Sequence, residues 1–169
     1  MAGAKAVRGG HHTAGHVRVM RQEEEIMTEQ EVRDICRLAV RMRERAYTPY
    51  SHFRVGAALL GVSGRVYTGC NIENASYPVS VCAERTALFK AVSEGEREFQ
   101  ALAIAGGPED GALQYCAPCG VCRQAFQEFC PPHFPIYLAK SETDFRRYEL
   151  QELLPEAFGG GNLRGKLNL

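Results

Sequence analysis

Two short motifs hold the side chains best suited to chemistry: C-A-E at 82–84 and P-C-G-V-C at 118–122. Each falls where the surrounding pattern predicts the start of a helix. The first turn of a helix presents unpaired N–H groups and a partial positive charge, which favour a thiolate over a thiol. Cys119 and Cys122 are three residues apart, so one helical turn brings both sulfurs to the same side. Cys82 offers a third sulfur from a second helix start. Three protein ligands leave the fourth position of a zinc ion open to water, as a catalytic site requires. Glu84 lies two residues from Cys82, close enough to serve that water without binding the metal. Spacing alone leaves other readings open. Cys116 creates C-A-P-C overlapping C-G-V-C, so four cysteines can form a closed structural site, with Glu84 an ordinary surface carboxylate. A lone C-x-x-C can also be a redox pair.

These motifs need elements to position them. Thr28 and Glu31 form a capping-box pattern. Val32, Ile35, Ala39 and Met42 then recur near helical spacing, which predicts a helix to about Ala46. T-P-Y-S at 48–51 breaks it. F-R-V-G-A-A-L-L and R-V-Y-T-G-C-N read as two strands joined by a G-V-S-G turn. A helix is expected from Cys82 to about Ser93, with Ala83, Ala87, Leu88 and Ala91 packing inward and Gly95 as the stop. A short apolar strand follows at Gln100–Gly106. A second helix runs from Cys119 to about Phe129, closed by Pro131 and Pro132. Strands at 135–139 and around 145–150 and the segment E-L-L-P-E-A-F complete the order. That alternation predicts an α/β sandwich with a mixed sheet. Residues 1–27 read as a disordered tail and 28–169 as one catalytic domain.

Composition narrows the partners. The chain has 169 residues, 20 Lys+Arg against 20 Asp+Glu, and seven cysteines. A balanced charge gives a polyanion little to bind, so no nucleic-acid partner is expected. No apolar run approaches the roughly 20 residues that span a bilayer, so no membrane is expected either. Lys5, Arg8, Arg18 and Arg21 stand near the N-terminus without an apolar stretch, unlike a secretory signal. An odd cysteine count argues against a disulfide framework and for a reducing compartment.

Four blocks occur together and in order: Y-S-H-F-R-V-G-A-A-L at 50–59, G-C-N-I-E-N-A-S-Y-P at 69–78, C-A-E-R-T-A at 82–87 and A-P-C-G-V-C-R-Q at 117–124. With them the sequence resembles the zinc-dependent cytidine deaminases, in their short homotetrameric form, over about residues 28–158. Arg54 departs from the pattern at a variable position. The resemblance implies a three-layer αβα sandwich around a mostly five-stranded mixed sheet. It also implies zinc-dependent deamination of cytidine and deoxycytidine to uridine and deoxyuridine, with release of ammonia, in pyrimidine salvage. One zinc per subunit is held by Cys82, Cys119 and Cys122, with Cys116 left out. Glu84 is then the proton shuttle. Arg85 becomes a hydrogen-bond donor to the cysteine sulfurs, offsetting the net negative charge of zinc with three thiolates. Asn71 and Glu73 are implied to bind the ribose hydroxyls, Phe53 to flank the base and Ala83 to touch the substrate. Phe158 is implied to reach a neighbouring subunit's site, and Tyr77 to bind substrate near the subunit contact. His52, beside Phe53, is read as no ligand. Cys36, Cys70 and Cys130 are read as small buried apolar groups. The implied location is the cytoplasm, with the nucleus left open. Competing readings are a deaminase for another aminopyrimidine nucleoside, a polynucleotide deaminase and a structural zinc module.

Overall fold

The computed structural model describes residues 27–163. Most of the expected tail therefore lies outside the described residues. The Thr28 box is formed in full. The Glu31 backbone N–H donates to the Thr28 hydroxyl oxygen at 3.2 Å, and the Thr28 N–H donates to the Glu31 carboxylate at 2.7 Å. Two of the unpaired N–H groups at the start of the helix are thereby satisfied. Helix α1 runs Glu29–Met42 and tightens into a 3-10 turn at Arg43–Arg45, so the expected single helix changes pitch before it ends.

Strand β1 spans Phe53–Gly61 and β2 Val66–Cys70. Gly64 has φ +80° in the turn between them, a conformation that glycine adopts at no steric cost. Helix α2 spans Ala83–Ser93 and stops at Gly95, φ +94°. Strand β3 spans Phe99–Pro108, longer at both ends than its apolar centre suggests. Helix α3 is Gly120–Gln127, followed by β4 at Pro135–Ala139 and β5 at Phe145–Glu149. The E-L-L segment is absorbed into a one-turn helix, α4, at Leu150–Leu153. A last turn, α5, at Gly160–Leu163 and a 3-10 turn at Tyr77–Val79 carry no clear sequence period.

The five strands lie in the order β2-β1-β3-β4-β5. Only β3 and β4 run parallel; the other neighbours are antiparallel, so the sheet is mixed. Side chains alternate across it with period two. Ala57, Leu59, Leu102, Ile104, Ile136 and Leu138 face the layer that holds α2 and α3. Ala58, Leu60, Ala101, Ala103, Ala105 and Ala139 face α1, packing against Val32, Ile35, Cys36 and Ala39. The second face is mostly alanine, which lets α1 lie close. Cys36, Cys70 and Cys130 are all buried.

Two glycines set the spacing between layers. Gly56 lies under the end of α1, where a Cβ would sit 2.7 Å from the Arg43 nitrogen. Gly69 lies under the start of α2, where a Cβ would sit 2.6 Å from the Ala87 nitrogen and closer still to the Ala83 carbonyl oxygen. At the free edge of β2, the Lys90 ammonium donates to the Thr68 carbonyl.

The Gly69 contact leads directly to the C-A-E motif, because α2 cannot back away without moving Cys82 and Glu84. Gly69→Ala is expected to destabilise the protein by about 1–3 kcal/mol, the range for overpacking. It should also weaken metal retention. Denaturation midpoints with zinc present and after chelation check both effects.

Candidate metal centre

The topology gathers one end of the sheet. Strand β1 is antiparallel to both neighbours, so its first residues meet the last residues of β2 and β3. Phe53 pairs with Pro108, and Gly56 with Cys70. The segments that leave β2 and β3 at this end lead to the starts of α2 and α3. Cys82 is the N-cap residue of α2 and Cys119 that of α3, and neither side chain caps its own helix. Both sulfurs therefore remain available, beside N–H groups that favour negative charge.

The three sulfurs converge. Those of Cys82 and Cys119 are 3.7 Å apart and those of Cys119 and Cys122 3.6 Å apart. All three lie within 4.8 Å of one another. Four-coordinate zinc with Zn–S bonds of about 2.3 Å spaces its sulfurs about 3.8 Å apart, so the triangle has the size of one zinc ion. Cys116 does not join the group. Its side chain packs on Gly106, whose Cβ, if it had one, would fall 2.7 Å from the Cys116 sulfur. No other set of three metal-binding side chains converges among the described residues.

The electrostatics match a site built for a dication. Hydrogen bonds from Cys122, Arg85 and Cys119 pull the Cys82 thiol down to about 5. The Cys122 thiol moves upward, because it donates to Cys82 and because it is buried. Cys82 thus ionises at the expense of Cys122; a bound dication would remove that conflict. A guanidinium nitrogen of Arg85 lies 3.8 Å from the Cys82 sulfur, where it offsets the excess of three thiolates over two metal charges.

Glu84 sits in the first turn of α2 and is 4% exposed. Burial, reinforced by the charge of Cys82, pushes its carboxyl up to about 7. A carboxyl so placed exchanges protons readily near neutrality. Burial, with the charges of Glu84 and Cys82, pushes the Cys116 thiol up to about 11, so it stays neutral where it packs on Gly106.

The other expected site residues differ in placement. Ala83 is fully buried beside Glu84. Phe53 starts β1, and its ring lies 3.3 Å from the position of a Cβ on Gly106. The Asn71 amide is engaged with β1: it donates to the Phe53 carbonyl at 2.9 Å and accepts from the Val55 N–H at 2.8 Å. One Glu73 carboxylate oxygen accepts from the Tyr50 and Ser51 N–H groups at 2.9 and 3.2 Å. Tyr77 and Phe158 are 70% and 58% exposed on their own chain. Tyr77 meets Tyr50 edge to face, with ring centroids 6.0 Å apart. His52 is outside the thiol cluster, with its ring Nδ1 3.3 Å from a Glu109 oxygen that belongs to a carboxylate also paired with Arg54.

Sequence reasoning missed the groups that hold the metal loop. Arg123 donates to the Pro118 carbonyl at 2.7 Å and the Leu153 carbonyl at 2.5 Å, tying the residue before Cys119 to α4. It follows Cys122 directly, a proximity that a search for loop-pinning cations can use. The Gln114 N–H donates to Gly106 at 2.8 Å. The Tyr115 hydroxyl donates to Asp144 at 2.5 Å, with Lys140 and Arg146 lying 4.2 and 4.1 Å from the centre of its ring. Those partners are about 30 residues further along the chain, and no short motif announces them.

A mixed sheet flanked by helices, with two helix starts presenting three cysteines and a buried carboxylate, defines a mononuclear zinc-hydrolase type of site. Residues 29–138 match the family model for the cytidine and deoxycytidylate deaminase zinc-binding region, and the chain belongs to that family. It is 50% identical over 121 residues to a cytidine deaminase of Sporosarcina psychrophila, covering 72% of this chain and 86% of that protein. It is 49% identical over 120 residues to a cytidine deaminase of Halalkalibacterium halodurans, covering 71% and 88%. The crystal structure of a cytidine deaminase from Burkholderia pseudomallei superposes with a TM-score of 0.66 at 44% identity, covering 78% of this chain and 100% of that one.

Replacing Cys82, Cys119 or Cys122 by Ala should abolish stoichiometric zinc after dialysis, whereas Cys116→Ala should retain it. Metal analysis of the four purified variants decides between the three-cysteine and four-cysteine sets.

Proposed function

We propose that the chain deaminates free cytidine and deoxycytidine by hydrolysis, using one zinc ion held by Cys82, Cys119 and Cys122. The observation that carries this reading is the zinc-sized triangle of sulfurs beside a buried Glu84. Membership of the family supports the substrate class. A zinc ion on three thiolates supplies an open position for water and lowers the pKa of that water toward neutrality.

The remaining steps belong to the chain's own groups. Glu84 takes a proton from the attacking water and gives it to N3 of the pyrimidine while oxygen adds to C4. Glu84 then carries the second proton of that water to the 4-amino group, which leaves as ammonia. The product is uridine or deoxyuridine, and the atoms balance. One carboxylate serves both transfers, which suits a group titrating near 7. Phe53 flanks the base, Ala83 closes the site beside Glu84, and Asn71 and Glu73 meet the ribose hydroxyls. Glu73 takes both of its backbone donors, from Tyr50 and Ser51, on a single carboxylate oxygen. Arg85 steadies the thiolates.

The same reading extends to the assembly and the cell. We infer one catalytic domain from about residue 28 and a homotetramer in which Tyr77 and Phe158 meet a neighbouring subunit's site. Their exposure, with that of Tyr47, Tyr50 and Val79, supports a covered face. Unpaired cysteines suit a reducing cytoplasm, and the substrate class suits a role in pyrimidine salvage. No helix among the described residues is long and apolar enough to cross a membrane.

The decisive assay follows loss of cytidine absorbance and release of ammonia, with and without a zinc chelator. Glu84→Gln should keep zinc and lose activity by more than the ~10²–10⁴ typical of one acid–base group. Near-normal turnover by that variant would sink the mechanism.

A further inference from the structure

Asn71 does something in the structure that a sugar contact does not require. The last pair of the β1–β2 ladder is Gly56 with Cys70. One more step would pair Val55 with Asn71. Half of that step exists, because the Asn71 N–H donates to the Val55 carbonyl at 3.2 Å. The return bond should run from the Val55 N–H to the Asn71 carbonyl. That carbonyl has turned away to accept from the Tyr47 N–H at 3.0 Å. The Asn71 side-chain oxygen takes its place, accepting from Val55 at 2.8 Å. The amide nitrogen then donates to the Phe53 carbonyl at 2.9 Å.

One side chain thus closes the ladder and grips the residue whose ring, like the Cys116 sulfur, packs over Gly106. The β3 side of this strand end is held separately: Phe53 pairs with Pro108, and the Glu109 N–H donates to the His52 carbonyl at 2.7 Å. Without the amide, the β2 side loses its hold on both the Phe53 carbonyl and the Val55 N–H. Only a side chain with a donor and an acceptor on one rigid plane can serve both, which selects Asn over Asp, Ser or Leu. The Phe53 ring in turn lies over Gly106, on the strand whose exit leads to Cys119.

We propose that Asn71 is a positioning residue that sets the Phe53 ring through the backbone of β1, and that this work is separate from any contact with ribose. The inference rests on the deaminase reading and deepens it. A primary amide retains one further N–H and one further lone pair, so a sugar contact and the brace are chemically compatible.

The two roles separate on a substrate without the hydroxyls. Initial rates per bound zinc are measured with cytidine and with 2′,3′-dideoxycytidine for the wild type, Asn71→Ala, Asn71→Asp, Phe53→Leu and the double variant Asn71→Ala/Phe53→Leu. Positioning predicts that Asn71→Ala loses between about tenfold and a hundredfold in kcat/KM on the dideoxy substrate, the scale of a small misplacement. Asn71→Asp, which keeps the acceptor and loses the donor, should lose in the same direction. In the Phe53→Leu background most of the Asn71→Ala loss should vanish, because the two residues act in series. General destabilisation would leave the two losses multiplicative instead. A loss confined to cytidine, or full additivity with Phe53→Leu, overturns the inference and leaves the deaminase reading standing. A zinc-loaded wild type inactive on both substrates overturns that reading, and the inference with it.

Discussion

Three sulfurs packed into a triangle the size of one zinc ion set the terms for the whole molecule. Like charges at such distances repel strongly in a partly buried site, so the cluster cannot be fully ionised by itself. Cys82 ionises readily while Cys122 resists, and only a dication makes three thiolates compatible. The fold must therefore bring two helix starts together at the spacing that a dication requires. Their positive ends help, and Arg85 adds a full charge. Neither fixes distance. Distance comes from the sheet below, where Gly69 admits α2 at backbone contact, and from Arg123, which ties the Pro118 carbonyl to α4.

The sheet order makes this economical. Because β1 runs against both neighbours, the start of one strand and the ends of two others share an edge of the molecule. Phe53, Asn71 and the exit of β3 thereby come within reach of the helix starts. Phe53 is thereby set beside Asn71, 18 positions on, and Pro108, 55 positions on, and side-chain braces hold the segments that lead to the helices.

Legibility in the sequence followed the range of the interaction. The capping box at Thr28, the glycine turn at 61–64 and the stop at Gly95 are local, and each was readable from a few residues. The G-V-S-G turn and the continuous apolar runs along β1 and β3 predicted strands, because a sheet covered on both faces buries successive side chains alike. The pairing of Cys119 with Cys122 was readable for the same local reason. Choosing Cys82 over Cys116 as the third sulfur was not readable from spacing, since Cys116 is the nearer in sequence and Cys82 is brought in by folding; only the resemblance of the four blocks favoured Cys82. Burial against Gly106 decides it, and that contact exists only after β3 and the loop beyond it have met. Tyr115 and its two cations, and the engagement of Asn71 with β1, were hidden similarly. An asparagine in N-I-E-N looks the same on paper whether its amide faces a ligand or a neighbouring strand.

The ammonium of Lys90 on the Thr68 carbonyl has a consequence for how copies of this chain meet. Strand β2 is an edge, and an edge offers unpaired carbonyls to any passing strand. Here one of those acceptors is occupied by a cation rooted in α2. A second sheet joining along β2 would have to displace that ammonium or bury it unpaired, and burying an unpaired charge is costly. Edge-to-edge growth of the sheet is thereby made costlier at this border without lengthening a loop or adding a proline.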